Sequence, residues 1–174
     1  KNFLLKVDAQ IESPTVPPSV SATKTIGYGK LETKVSGNVI LDTAGYFRDA
    51  ASGIINSGSL PLRQGSKTQF TVHWLIKNFA NDVRDVKISS KLGPNVALKT
   101  SKTNVSGTAV SYNERTGDIS WDIPKLQANK GVLTSPYEAI FQVEVEPSLT
   151  QVGKSMVLVE MLRITCATRK NKNR

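Results

Sequence analysis

The chain has 174 residues and a formal net charge of +9, with 39% hydrophobic and 21% charged residues. This length suits one ordinary domain, and the composition excludes a wholly disordered chain. The single cysteine, Cys166, excludes an intramolecular disulfide and a thiolate-rich metal site. The single histidine, His73, leaves one position for a catalytic imidazole, so the composition argues against an enzyme and predicts no cofactor or metal.

The basic excess and the apolar segments both bear on partners and location. Residues 169–174, RKNKNR, hold four of the nine excess positive charges, which predicts a solvated basic tail and no specific nucleic-acid site. No segment approaches the roughly 20 apolar residues of a membrane-spanning helix, and the first residues lack the apolar core of a signal peptide. We expect membrane attachment only through segments outside this chain.

The first predicted element is a half-buried strand over residues 3–11, followed by a proline-rich linker. Its polar residues alternate with apolar ones that share one face: Phe3, Leu5, Val7, Ala9 and Ile11. The segment SPTVPPSV then favours an extended linker, because Pro14, Pro17 and Pro18 donate no backbone hydrogen bond. We therefore predict that residues 1–22 form the tail of a preceding module, that 23–168 form the main domain and that 169–174 form the tail.

The main domain reads as a series of short strands separated by turns. Two or three strands are predicted in 23–47 and a loop in 48–67, and the strongest alternation lies in TQFTVHWLIKN, residues 68–78. Further strands begin at Val83, Val96 and Tyr137, a hairpin turns at residues 113–117, and a final strand spans about 155–168.

Strands at intervals of about 8 to 12 residues predict an all-β, Ig-like antiparallel β-sandwich with an extra N-terminal strand segment. The apolar residues that alternate along the strongest strands form the predicted core: Phe70, Val72, Trp74, Ile76, Ile119, Trp121, Ile123, Phe141 and Val143.

Several residues have a functional interpretation beside a structural one. Trp74 and Trp121 could stack on a sugar ring, but both share a strand face with aliphatic residues, which favours core packing. His73 falls on the opposite face and is expected at the surface or at a contact between modules. The carboxylate pairs Asp82/Asp85 and Glu144/Glu146 could suggest a calcium or glycosidase site, but a solvated strand face is the favoured interpretation.

The order of these patterns resembles the Ig-like conserved-repeat modules of large bacterial cell-surface proteins. Four segments within residues 54–168 carry the resemblance: INSGSLPLRQGSKTQFTVHWLIKN, NDVRDVKISSKLGPNV, VSYNERTGDISWDIPKLQANKG and AIFQVEVEPSLTQVG. The corner at residues 92–94 departs from the pattern, because Gly93 stands where such modules commonly have proline.

The resemblance implies a non-catalytic structural or adhesion module of an extracellular, multidomain bacterial surface protein. Its implied partners are neighbouring modules of the same protein or other surface proteins; the alternative is a carbohydrate- or polyanion-binding module that contacts glycans or anionic polymers. Some bacterial surface sandwiches also carry Lys–Asn isopeptide crosslinks assisted by a buried carboxylate. The residues considered for such a crosslink are Lys34, Lys67, Lys87 and Glu160.

Overall fold

The computed structural model describes residues 3–13, 19 and 25–167, and within these it contains ten β-strands and one 3-10 turn at Leu149–Gln151. None of the described segments forms a helix suited to crossing a membrane. The strands are β1 Leu4–Ser13, β2 Thr25–Lys34, β3 Val39–Tyr46, β4 Thr68–Asn78, β5 Val83–Lys91, β6 Val96–Thr103, β7 Val110–Tyr112, β8 Asp118–Leu126, β9 Tyr137–Val145 and β10 Arg163–Ala167.

Eight of these strands build two four-stranded antiparallel sheets. One sheet has the order β3-β4-β9-β6, and the other has the order β10-β5-β8-β7. Alternate residues of each sheet point into the space between the two sheets and form one apolar core. The chain is therefore an all-β antiparallel β-sandwich, as the strand spacing predicts.

The core is built around aromatic side chains from both sheets. Trp74 of β4 and Phe141 of β9 meet edge to face, with ring centroids 5.0 Å apart, and Trp121 of β8 is likewise fully buried. Of the nine residues predicted for the core, Phe70 is only half-buried and packs against the ring of Phe47. The other eight are at most 5% exposed.

Strands β1 and β2 form a separate two-stranded hairpin. They pair along their whole length, from Leu4 opposite Lys34 to Ser13 opposite Thr25. The predicted module boundary after residue 22 differs from this arrangement, because the backbone of β2 pairs with β1 and with neither sheet of the sandwich. Pro14, Pro17 and Pro18 of the predicted linker, and the basic tail 169–174, lie outside the described residues.

Three hydrogen bonds among Phe3, Val35 and Asn81 join the base of the hairpin to the sandwich. The backbone N–H of Val35 donates to the carbonyl oxygen of Phe3 at 3.1 Å, and the N–H of Phe3 donates to Asn81 Oδ1 at 2.5 Å. Asn81 Nδ2 donates in turn to the carbonyl oxygen of Val35. One side chain in the β4–β5 turn thereby holds both ends of the hairpin.

The last strand is shorter than its sequence pattern predicts. Within the described residues, strand pairing with β5 is confined to Arg163–Ala167, whereas the preceding segment makes a single bridge between Val159 and Leu92. The apolar residues in that segment pack against the core without belonging to a strand: Met156, Leu158, Val159 and Leu162. Their apolar character therefore reflects burial of an irregular segment.

Candidate interaction surfaces

The outer face of the β3-β4-β9-β6 sheet is covered by the 47–67 loop through polar contacts. Asn56 Nδ2 donates to the hydroxyl of Thr71 at 2.8 Å and to the carbonyl oxygen of Phe47 at 3.1 Å. Gln142 Nε2 donates to Asn56 Oδ1 at 2.8 Å and to the carbonyl oxygen of Ile55 at 3.0 Å. Buried polar groups require such partners, so Thr71 and Gln142 specify the position of this loop.

His73 joins the same loop to the sheet through two carboxylates. Its Nε2 lies 2.7 Å from Asp49 Oδ2 in the loop, and its Nδ1 lies 2.7 Å from Glu138 Oε1 on β9. Burial alone would lower the pKa of His73, but the hydrogen bonds and charges of Glu138 and Asp49 outweigh it and raise the pKa. Burial would raise the pKa of Asp49, yet hydrogen bonds from Ser52 and His73 hold it below its usual range.

This arrangement makes His73 a structural clamp. A general base needs a ring nitrogen directed at a substrate proton, but each nitrogen of His73 already faces a carboxylate and the residue is only 8% exposed. The expectation of a surface histidine is wrong. Sequence alternation placed it on the outer sheet face correctly, but could not show that residues 47–67 cover that face.

A shallow groove of about 900 Å³ lies at the opposite end of the sandwich from the hairpin, beside the edge strand β6. Two lysines and three carboxylates line it, and both Lys67 and Lys99 contact the carboxylate of Glu144, at 3.1 and 3.3 Å. The hydrogen bond from Lys67, with further ones from Gln69 and Lys99, holds the pKa of Glu144 below its usual range despite the opposing effect of burial. The half-buried Tyr112 adds an aromatic wall.

The β1–β2 hairpin presents two faces of different chemistry. The residues opposed across one face are apolar or small, from Leu5, Val7, Ala9 and Ile11 on β1 to Leu31, Gly29 and Gly27 on β2. Leu5, Val7, Ile11 and Leu31 are 49–75% exposed. The other face carries an ion pair between Lys6 and Glu32 at 2.9 Å and a hydrogen bond from Gln10 to Glu12 at 2.5 Å.

The four residues considered for an isopeptide crosslink are placed on separate elements. Lys34 ends β2, Lys67 pairs with Glu144, and Lys87 lies 3.9 Å from Asp122. Glu160 is exposed, and its backbone N–H donates to the carbonyl oxygen of Lys91. Since none of the four is buried, none of these three lysines shares an apolar pocket with Glu160.

The two tryptophans and the acidic pairs also have defined places. Trp74 and Trp121 are both 0% exposed, which overturns the sugar-platform interpretation. Asp82 accepts a hydrogen bond from the backbone N–H of Ala128 at 2.8 Å, whereas Asp85 is exposed with φ 51°. Among the described residues, no cluster of three or more His, Cys, Asp or Glu side chains has the geometry of a metal site.

Comparisons with known proteins give distant structural likeness and no family. No family model matches the chain, and no curated protein matches it. Among solved structures, the chitin-binding domain of a chitinase from Pyrococcus furiosus is similar at 11% sequence identity and a TM-score of 0.35. That match covers 75% of this chain and 93% of the other.

Proposed function

We propose that this chain is a non-catalytic structural or adhesion module of an extracellular, multidomain bacterial surface protein. The observation that carries the proposal is the hairpin, which is anchored at its base by Asn81 and exposes an apolar face. Exposed contiguous apolar surface marks a contact site in a folded protein. The sandwich supplies the rigid support, and its one histidine is occupied in holding a loop.

Surface labelling of bacteria that carry the parent protein tests this location and role. Antibodies raised against the folded chain are expected to stain intact cells as strongly as permeabilised cells, and external protease is expected to remove the signal. Staining that requires permeabilisation would overturn the proposal. A cytoplasmic protein followed in the same cells provides the control for membrane integrity.

Carbohydrate or polyanion binding is the second candidate function, and the groove beside β6 favours it. Lys67, Lys99 and three carboxylates offer charged hydrogen-bonding groups of both signs, and Tyr112 adds an aromatic wall, a combination that suits a polar glycan better than a polyanion. A glycan and polyanion array at low and high salt distinguishes the two functions. Binding that weakens with salt and is lost in Lys99→Ala favours the groove, since exposed charge pairs are screened; Lys87→Ala, on the other sheet, is the matched control.

A further inference from the structure

On the apolar face of the β1–β2 hairpin, a row of large side chains lies next to a row of small residues. Four cross-strand rows follow one another along it: Leu5 opposite Thr33, Val7 opposite Leu31, Ala9 opposite Gly29, and Ile11 opposite Gly27. Directly opposed residues of an antiparallel pair share a face. The second row is therefore a ridge and the third is a depression.

The depression at the third row is open space. A Cβ added at Gly29 would have no heavy atom within 4 Å, and one added at Gly27 would meet only the carbonyl oxygen of Ile11 at 4.0 Å. Neither glycine requires the left-handed conformation, so backbone geometry does not call for glycine at either position. What these glycines provide is room above the sheet.

A two-fold axis lying across the strands, midway between the second and third rows, brings ridge and depression together. It reverses the strand direction and sets the face of one hairpin against the same face of another. Leu31 of each copy then lies over Gly29 of its partner, and Val7 lies over Ala9. In the outer rows Leu5 lies over Ile11 and Thr33 lies over Gly27, so the complementary fit is confined to the two inner rows. Two sheets packed face to face lie about 10 Å apart, a distance that interdigitated side chains fill.

The energetics favour such a pairing. An isolated two-stranded hairpin is marginal in water and becomes stable when an apolar face is packed against another element. Ten residues of strand extend about 33 Å, and two such faces together bury on the order of 1,000 Å², the lower limit for a specific interface. This area suits a weak, concentration-dependent dimer.

We propose that the β1–β2 hairpin is a homotypic docking surface, by which two copies of this chain pair through the apolar faces of their hairpins about a two-fold axis. The occupant is a second copy because the relief is self-complementary, with ridge and depression adjacent on one face. The opposite face, with its Lys6–Glu32 ion pair, stays in solvent in the dimer. The inference builds on the proposed structural role and gives it a partner.

Sedimentation of the purified chain from about 1 µM to about 1 mM tests the pairing. We expect the weight-average mass to rise towards twice the chain mass with a Kd in the micromolar range. Leu31→Lys is expected to weaken association at least tenfold, because it places charge on the ridge. Tyr28→Lys is the matched control: Tyr28 is 76% exposed on the opposite face of the same strand, so association should not change.

The Gly29→Val variant distinguishes specific pairing from non-specific apolar association. Valine fits a strand and adds apolar surface, so non-specific association would increase, whereas filling the depression is expected to abolish the dimer. Circular dichroism checks that each variant remains folded. A wild-type chain that stays monomeric at every concentration, or a Gly29→Val chain that associates more strongly, overturns the pairing. Neither result affects the labelling of intact cells, so the two proposals fail separately.

Discussion

Trp74 and Trp121 lie in opposite sheets of the sandwich, and their indole N–H groups differ in hydrogen bonding. Trp121 Nε1 donates to the hydroxyl of Thr108 at 3.1 Å. Trp74 Nε1 is buried and has no hydrogen-bond partner within the described part of the chain. A buried donor without a partner costs about 1–3 kcal/mol, so these two similar side chains contribute differently to stability.

Replacing each tryptophan by phenylalanine measures that difference. Both changes remove a similar volume from the core, but Trp74→Phe also removes the unpartnered N–H, whereas Trp121→Phe breaks the bond to Thr108. We expect Trp121→Phe to lower the free energy of unfolding by about 1–3 kcal/mol more than Trp74→Phe does. Urea unfolding of both variants gives the comparison. Equal losses would show that the indole of Trp74 has found a partner, such as water.

The clamp at His73 predicts a dependence of stability on pH. The groups that face its ring are Asp49, Glu138 and Tyr46, and Lys102 nearby donates to the carbonyl oxygen of Ser52. Because the pKa of His73 is raised on folding, its stabilisation is complete below the ordinary value of 6.5 and is lost as pH rises through the folded pKa. Neutral imidazole donates one hydrogen bond, so one of the two carboxylates loses its hydrogen bond from the ring.

Stability of the wild type is therefore expected to decline as pH rises above about 6.5 and through the raised folded pKa of His73, and to stay nearly level over that range in His73→Gln. The lowered pKa of Asp49 and Glu144 acts at the other end, with stability lost as pH falls through those pKa values. Urea unfolding midpoints measured from acid to alkaline pH would show both the loss of stability at low pH and the loss at high pH. Since the chain has one histidine, NMR titration of its imidazole locates the folded pKa directly, and a value below 6.5 would contradict the clamp.

At the scale of elements, the alternation of apolar and polar residues predicts the bounds of a strand well where both faces of the strand are packed. β4 runs over Thr68–Asn78, the segment with the clearest period of two, because its inner face meets the core and its outer face meets the 47–67 loop. The sequence pattern predicts β10 too long because the residues before it are apolar and pack against the core without pairing in a sheet. The partner of β2 could not be predicted, since alternation records which side is apolar and not which strand lies alongside.

Gly93 lies at the corner between β5 and β6, where the backbone of Val157 and Leu158 approaches closely. This buried glycine donates its N–H to the carbonyl oxygen of Leu158 at 3.1 Å, and a Cβ at this position would overlap the carbonyl oxygen of Val157. The glycine at this corner thus has a steric reason, because the 156–162 segment crosses directly over it.

Gly93→Ala is expected to displace that segment and to lower the free energy of unfolding by about 2 kcal/mol or more, as overpacking does. Hydrogen exchange should increase at the amides of residue 93 and Glu160, which donate across the corner to the carbonyl oxygens of Leu158 and Lys91. Gly45→Ala is the control, because its added methyl would meet only Leu158 Cδ1 at 3.9 Å. Equal effects of the two substitutions would contradict the steric argument.

At the scale of the whole molecule, the candidate surfaces depend on contacts between distant parts of the chain. His73 meets Asp49 24 residues away and Glu138 65 residues away, and no local pattern connects these three. The apolar face of β1, by contrast, can be predicted from the alternation of apolar and polar residues in the sequence. What its alternation could not reveal is that the face stays exposed, because that depends on where the sandwich lies.

The separation of Lys34, Lys67, Lys87 and Glu160 leads to a prediction about covalent structure. An isopeptide bond would need a lysine and an amide held together in an apolar pocket, and each of these four residues is exposed on a different element. The intact mass of the folded protein is therefore expected to equal the sequence mass. A deficit of one ammonia would contradict this placement, and peptide mapping would then identify the bond.

The strand order has a consequence for folding kinetics. β4 pairs with β9 and β5 pairs with β10, so that Thr68 lies opposite Val145 and the Thr165 hydroxyl reaches the carbonyl oxygen of Lys87 across 78 residues. Chains dominated by such distant pairings fold in milliseconds to seconds, whereas a local hairpin forms in about 1–10 µs. The β1–β2 hairpin can thus form long before the sandwich, and its apolar face is available to nascent chains while their cores are still open.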